Sequence, residues 1–299
     1  MDQQLEVFIA VAEKKNFSRA AEELHMTQPA VSQYIQAFER EVGTRLLERT
    51  NKYVKLNKAG EIVYDHAKEI LGLYTKMQRL VDDLTNKTSG PLAIGASYTF
   101  GEYILPHVIA DMLDEYPQVA PTISIGNTRD IAELVLKHQM DVGIVEGDFQ
   151  HDKLMIEPFA EDAMYIVAAP NHRLAQYKKI TPQDLEKERW IVREIGSGTR
   201  KAADNLFASL KITPSSMMEF GSIQLIKESV EAGLGMSLLS QWAIRKELGM
   251  GTLKMIQVDG LPFTRKFSIV TSSPYRTKAL DTFLAFVRRV STEDGSGLW

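Results

Sequence analysis

The stretch Phe17-Ser18-Arg19-Ala20-Ala21-Glu22-Glu23-Leu24, a turn at His25-Met26, and Thr27-Gln28-Pro29-Ala30-Val31-Ser32 together decide the fold of the first part of the chain. Ser18 stands where a helix N-cap belongs, ahead of a run of good helix formers. Thr27 offers a second N-cap, and Pro29 falls in a first turn, where a missing N–H costs no hydrogen bond. Ala21, Leu24, Val31, Ile35 and Phe38 then lie on facing sides of two short helices, and small Ala21 near Val31 lets them cross closely. Two short helices with a tight turn between them predict a helix-turn-helix.

On the N-terminal side, Leu5, Phe8, Ile9 and Ala12 recur at helical spacing, and Asn16 ends that helix. On the C-terminal side the third helix runs to about Val42 and Gly43 stops it. Arg45 to Thr50, Asn51-Lys52 and Tyr53 to Leu56 read as strand, turn, strand, a basic wing. The net charge of −4 over 299 residues hides this local excess. Within 45–58, Arg45, Arg49, Lys52, Lys55 and Lys58 face only Glu48. A basic face of this kind suits phosphate.

Beyond the wing the period changes. Val63, Ala67, Ile70, Tyr74, Met77, Val81 and Leu84 alternate steps of four and three, the seam of a coiled coil, so a helix over 59–88 is expected to pair two protomers. Asn86 to Pro91, with Ser89-Gly90-Pro91, reads as a linker. From 92 onward strands alternate with helices, which predicts a largely parallel sheet covered by helices. Strands are expected at Leu92–Ala96, Thr122–Ile125, Asp141–Val145, Tyr165–Ala169, Trp190–Arg193, Met217–Phe220, Met236–Leu239, Leu253–Val258 and Phe267–Thr271. The expected organisation is three parts, 1–58, 59–88 and 89–299. The last has one lobe at about 91–164 and 267–292, a second at about 165–266, and a tail from Glu293.

Composition narrows the chemistry. The chain has no Cys, which excludes disulfides, thiolate zinc sites, iron–sulfur clusters and a cysteine nucleophile. Its six His show no zinc spacing, and no Ser sits in a GxSxG elbow. Gly196-Ser197-Gly198-Thr199 lacks the spacing and Lys of a P-loop, and Ala232-Gly233-Leu234-Gly235 is half a dinucleotide fingerprint. No catalytic residue, metal or cofactor is expected. Apolar runs such as Val7 to Ala12 are far too short to span a bilayer, and a cytoplasmic protein is expected.

The same residues resemble a known family. Phe17 to Ala21, Leu24, Thr27 to Ser32, Arg45-Leu46-Leu47-Glu48-Arg49 and Ala59-Gly60 look like the DNA-binding domain of LysR-type transcriptional regulators. Tyr103-Ile104-Leu105-Pro106, Asp141-Val142-Gly143-Ile144, Arg193 to Arg200 and Ala232 to Met236 are similar to that family's effector domain. The resemblance implies an α/β protein with a winged helix-turn-helix, a dimerising helix and a two-lobed domain like periplasmic binding proteins. It also implies double-stranded promoter DNA with inverted-repeat half-sites, RNA polymerase, a small effector and tetramers as partners. Phe17 to Lys58 and Gly95 to Tyr103 further resemble the branch, of Bacillus type, that activates cysteine-biosynthesis and sulfite-reductase genes.

Gln28, Ser32, Gln33 and Gln36 then become candidates for base contact, because Gln pairs bidentately with adenine and Ser bonds base edges or phosphate. Arg40, Arg49, Lys52 and Lys55 are candidates for the backbone. Ser18, Arg19 and Pro29 complete the DNA-facing set. For the effector, Ser97 and Thr99, with Phe100 beside them, follow one strand, and Ser197, Gly198, Thr199 and Arg200 follow another. Hydroxyls and helix starts suit a small anion, and Arg200 adds a full charge. Gln224 and Glu146 are further candidates. Glu146 would oppose an anion unless it paired with Arg200 or sat outside the pocket.

Overall fold

The computed structural model describes residues 2–49, 53–82, 88–177 and 179–290. The chain divides into two compact units, one of residues 1–84 and 137–139, the other of 85–136 and 140–299. In the first unit, α1 (Asp2–Lys14), α2 (Phe17–Glu23) and α3 (Gln28–Val42) form the predicted trihelical core. The start of α2 corrects the expected cap. Asn16, in extended backbone, accepts from the N–H groups of Ser18 (2.9 Å) and Arg19 (3.0 Å), so Ser18 already lies inside the helix. Thr27 caps α3 by accepting from Ala30 N, and Gly43 ends it at φ +85°. That left-handed conformation favours glycine. Phe8, Val11, Ala20, Ala21, Val31, Ile35 and Phe38 are buried together, with the Phe8 and Phe38 rings 5.4 Å apart.

The wing is the antiparallel pair β1 (Leu47–Arg49) and β2 (Val54–Leu56), in the register Leu47 to Leu56. Glu39 on α3 accepts from the N–H groups of Leu46 (2.8 Å) and Leu47 (3.2 Å), which ties the wing to the helix. Next comes α4 (Lys58–Asp82), 25 residues and therefore about 37 Å long. Its expected seam divides in two. Ala67 is buried against the trihelical core, whereas Ile70, Tyr74, Met77 and Val81, joined by Ile62 and Leu73, stay exposed. Leu84 lies outside the described residues, as do the first residues of the expected linker and the tail.

The second unit is built on β3 (Gly90–Ser97), α5 (Tyr98–Tyr103), α6 (Leu105–Glu115), β4 (Val119–Gly126), α7 (Thr128–Leu136) and β5 (Val142–Glu146). β3 pairs in parallel with both β4 and β5, as alternation of strand and helix demands. Then comes β6 (Met155–Ala168), 14 residues long, well beyond the expected Tyr165–Ala169. After a short 3₁₀ turn the chain forms α8 (Pro182–Glu186), β7 (Arg189–Arg193), α9 (Gly198–Leu210), β8 (Ser216–Phe220) and α10 (Ile223–Glu231). It closes with β9 (Ser237–Ser240), α11 (Gln241–Met250), β10 (Lys254–Met255), β11 (Phe263–Thr271) and α12 (Lys278–Arg289).

The two long strands explain the two lobes. β11 pairs antiparallel with β5 and with the first two-thirds of β6; the last residues of β6 pair with β9 and β10. β7 and β8 run parallel, and a bridge from Trp190 to Met236 sets β7 beside β9. The lobe built on β3, β4 and β5 buries Phe100, Phe267 and Phe283, and the other buries Trp190, Phe207 and Ile226. β6 and β11 therefore cross from one core to the other. The expected strand Leu253–Val258 shrinks to β10, and α5, α8 and α11 were not anticipated.

Candidate functional site

On the first unit, helical spacing puts Gln28, Ser32, Gln36 and Arg40 on one stripe of α3, with Gln33 beside it. Gln28, Gln33, Gln36 and Arg40 are exposed, and Ser32 is half-buried. Gln28 Nε2 donates to Ser32 Oγ at 2.9 Å, so the two side chains share a single polar contact point. Arg40 Nε donates to Gln36 O at 3.3 Å. Ser18, Arg19 and Pro29 are exposed at the starts of α2 and α3. In the wing, Lys55 lies opposite Glu48 and pairs with it at 2.8 Å. That carboxylate raises the Lys55 ammonium, which stays charged. The Arg49 side chain and Lys52 lie outside the described residues.

In the second unit the structure brings Ser97, Thr99, Glu146, Ser197, Gly198 and Thr199 together around a residue that the sequence did not single out. Arg265, buried in β11, donates from Nε to Asp162 Oδ2 (2.8 Å), from Nη1 to Thr199 Oγ1 (2.9 Å) and from Nη2 to Thr99 Oγ1 (2.8 Å). Its Nη1 also pairs with Glu146 Oε2 at 2.7 Å. The other Glu146 oxygen accepts from the N–H groups of Thr99 (2.7 Å) and Phe100 (3.3 Å). Thr128 Oγ1 donates to the Glu146 carbonyl, and Ser97 Oγ lies 3.3 Å from Thr128 Oγ1. Ser240 Oγ donates to Asp162 Oδ1 at 2.6 Å. Burial pushes the Asp162 carboxyl upward in spite of Arg265 beside it.

Thr99 sits on one lobe and Thr199 on the other, so one guanidinium spans the cleft. α9 reaches this cluster because position 198 is glycine. A Cβ there would fall 2.2 Å from the Glu146 carbonyl oxygen.

Beside the cluster a cavity of about 320 Å³ is lined by Thr128, Arg129, Glu146, Asp148, Ser197, Gly198, Arg200 and Lys201, among others. Glu146 does border the cavity, and it pairs with Arg265, not with Arg200. Arg200 is held by Asp204 (3.0 Å) and Glu219 (2.8 Å) and donates to Arg193 O. Arg193 in turn is clamped by Glu194, at 2.7 and 2.8 Å, and stacks 4.2 Å from the Tyr98 ring. Burial pushes Glu194 up, but the Arg193 hydrogen bonds outweigh it and its carboxyl lies below the ordinary range. Two candidates fall elsewhere. Phe100 packs its ring edge-on against Phe159 and Phe267 in the core, and Gln224 is exposed, donating to Glu228 at 2.8 Å.

The residues missed are Arg265, Asp162, Thr128, Arg129 and Lys201. A period-two signal was available for two of them: Arg265 alternates inward with Phe267, and Asp162 with Met164 and Ile166. Among the described residues, no group of three His, Asp or Glu is placed to hold a metal ion, and no helix is long and apolar enough to cross a membrane.

Comparison with known proteins agrees with both halves of this geometry. A family model described as bacterial regulatory helix-turn-helix protein, lysR family, matches residues 3–61. A second, the LysR substrate binding domain, matches residues 85–292. The chain is 38% identical over 285 residues to the HTH-type transcriptional regulator CysL of Bacillus subtilis, covering 95% of each protein. It is 32% identical over 298 residues to a probable RuBisCO transcriptional regulator of Phaeodactylum tricornutum, covering 97% of each. Full-length OxyR from Pseudomonas aeruginosa superimposes with a TM-score of 0.75 at 22% identity, covering 100% of this chain and 99% of that one. With a helix-turn-helix, a two-lobed effector domain and full-length relatives that are regulators and not enzymes, the chain belongs to the LysR family of DNA-binding transcriptional regulators.

Proposed function

We propose that this regulator works in the cytoplasm as a homotetramer, activates genes of sulfur assimilation and cysteine biosynthesis, and senses a small anion in the cleft of its effector domain. The sulfur assignment is supported by the 38% identity to CysL along nearly the whole chain. The anion assignment is carried by one observation. Arg129 and Lys201 line the cavity beside Ser197 and Gly198, and neither makes an ion pair among the described residues. Arg129 from the first turn of α7 and Lys201 from the first turn of α9 favour a negative ligand, although Asp148 lines the same cavity.

Gln28, Ser32, Gln33 and Gln36 read bases, while Ser18, Arg19, Arg40, Arg49, Lys52 and Lys55 hold phosphates. The exposed stripe Ile70, Leu73, Tyr74, Met77 and Val81 pairs two protomers and sets their recognition helices on two half-sites. Effector binding changes how the dimers sit on DNA and how they meet RNA polymerase.

A second reading, control of another pathway through a carboxylate, draws on the RuBisCO regulators among the relatives. Calorimetry with the full chain separates the two. Sulfate is expected to bind, and Arg129→Ala combined with Lys201→Ala is expected to weaken it at least about tenfold, the worth of ~1.4 kcal/mol. Equal binding by wild type and the double variant sinks the anion site, and preference for carboxylates over sulfate sinks the sulfur reading.

A further inference from the structure

The Glu146 carboxylate is buried and fully engaged by donors from two different segments: the N–H groups of Thr99 and Phe100 on one oxygen and Arg265 on the other. Two backbone N–H groups and a guanidinium are the donor set that recognises a free carboxylate or oxyanion. Neutralising Arg265 does not explain why a carboxylate stands there. Asp162 already meets that guanidinium at 2.8 Å, with its second oxygen satisfied by Ser240. One cation balances one carboxylate, so Glu146 leaves the buried cluster with an excess negative charge, a costly arrangement. Burial is the main cause that raises the Asp162 carboxyl, and the Glu146 charge adds a smaller push in the same direction. Glu146 also borders the cavity, and its backbone is the seat on which Gly198 of the opposite lobe rests.

We propose that Glu146 is a tethered anion: its carboxylate occupies the anion-receiving position of the cleft, and a free anion reaches Arg265 and the two N–H groups only by displacing it. The proposal rests on reading the cleft as the effector site and deepens it by naming the group the effector competes with. In the absence of effector the built-in carboxylate holds Thr99, Arg265 and Thr199 in register across the two lobes. A ligand that displaces it substitutes a free anion for a tethered one, so affinity is lowered by the competition.

The test follows from atom count. Glu146→Ala keeps Cβ and removes a CH₂COO⁻ group, the size of acetate. Calorimetry on the full-length variant, with chloride at equal ionic strength as the control, is expected to show acetate binding at least tenfold tighter than in the wild type. Acetate is expected to return the variant's operator footprint to that of the wild type. Glu146→Gln keeps the shape but lacks the charge that competes for Arg265, so it is expected to bind sulfate at least tenfold tighter than wild type. Acetate uptake by folded Glu146→Ala no better than by wild type overturns the proposal. If that variant does not fold, equal sulfate affinity of Glu146→Gln and wild type overturns it. Loss of sulfate binding in the Arg129 and Lys201 double variant, with no acetate uptake in Glu146→Ala, removes the tethered anion but leaves the effector pocket. Acetate uptake with the double variant unchanged does the reverse.

Discussion

The outward face of α3 and the cluster around Arg265 are both polar sites, and they are built in opposite ways. On α3 the side chains are solvated, and the contacts among them run four residues along one helix, as from Gln28 to Ser32. In the cleft one buried guanidinium reaches residues 66 to 166 positions away, and each contact replaces water. A solvated face gains its energy when a partner arrives. A buried cluster has already lost its hydration, and its contacts are part of what keeps the domain folded. Substitutions on α3 should therefore be felt in binding, and substitutions of Arg265 in stability.

Removing Arg265 gives the largest expected effect. Arg265→Ala leaves the carboxylates of Glu146 and Asp162 facing each other without a cation, and loss of one partner from a buried pair costs about 3–5 kcal/mol. Urea denaturation of the full chain measures it. Arg265→Lys should recover only part of the loss, because a point charge cannot replace a fork that serves Asp162, Thr199, Thr99 and Glu146 together. A loss below about 1 kcal/mol for the alanine variant would place the cleft in the same class as a solvated surface.

Gln28→Ala comes next and should show the opposite division. Operator affinity is expected to fall by about 1–3 kcal/mol with discrimination relaxed at one base position, while stability moves within about 0.5 kcal/mol. Gel shifts against an operator and its single-base variants, alongside denaturation, read both quantities. A stability loss as large as the binding loss would break the comparison, since it would make Gln28 part of the packing.

The same contrast explains what could be read from the sequence. The α3 face was legible because every determinant is local: Thr27, Pro29 and Gly43 fix the helix ends, and the spacing of Val31, Ile35 and Phe38 fixes which side is buried. Only the cap of α2 was misplaced, by two residues, because Asn16 and Ser18 are equally good cap residues and backbone conformation chooses between them. Around the cleft, Ser97, Thr99, Ser197, Gly198 and Thr199 were legible because each follows a strand. Arg265 and Asp162 were not, because their meeting is made by the pairing of β6 with β11, at a separation of 103 residues. Charged Glu157, Glu161 and Asp162 also hid the first half of β6, whose residues are only partly buried or exposed up to Glu161. Phe100 was grouped with its polar neighbours, although one step along the chain turns a side chain from the cleft into the core.

A second arginine separates the two variables, sequence distance and burial. Arg288 on α12 clamps Glu157 on β6, with Nε to Oε1 at 2.8 Å and Nη2 to Oε2 at 2.9 Å, across 131 residues. The pair is as non-local as the Arg265 cluster, but the side chains are 41% and 44% exposed. If burial is what counts, Arg288→Ala should cost only about 0–1 kcal/mol after solvent screening. Its pH dependence has a definite sign. Arg288 hydrogen bonds, opposed by partial burial, hold the Glu157 carboxyl below its ordinary value of 4.5. A depressed folded-state pKa means that the pair stabilises the fold above the unfolded value and loses that contribution as pH falls through the folded one. The difference between wild type and Arg288→Ala should thus be constant near neutrality and shrink once the pH drops below about 4.5. Denaturation curves at a series of pH values decide it. A cost of several kcal/mol would make sequence distance the governing variable, and a difference that persists unchanged in acid would mean that Arg288 acts through packing on β6 and not through its charge.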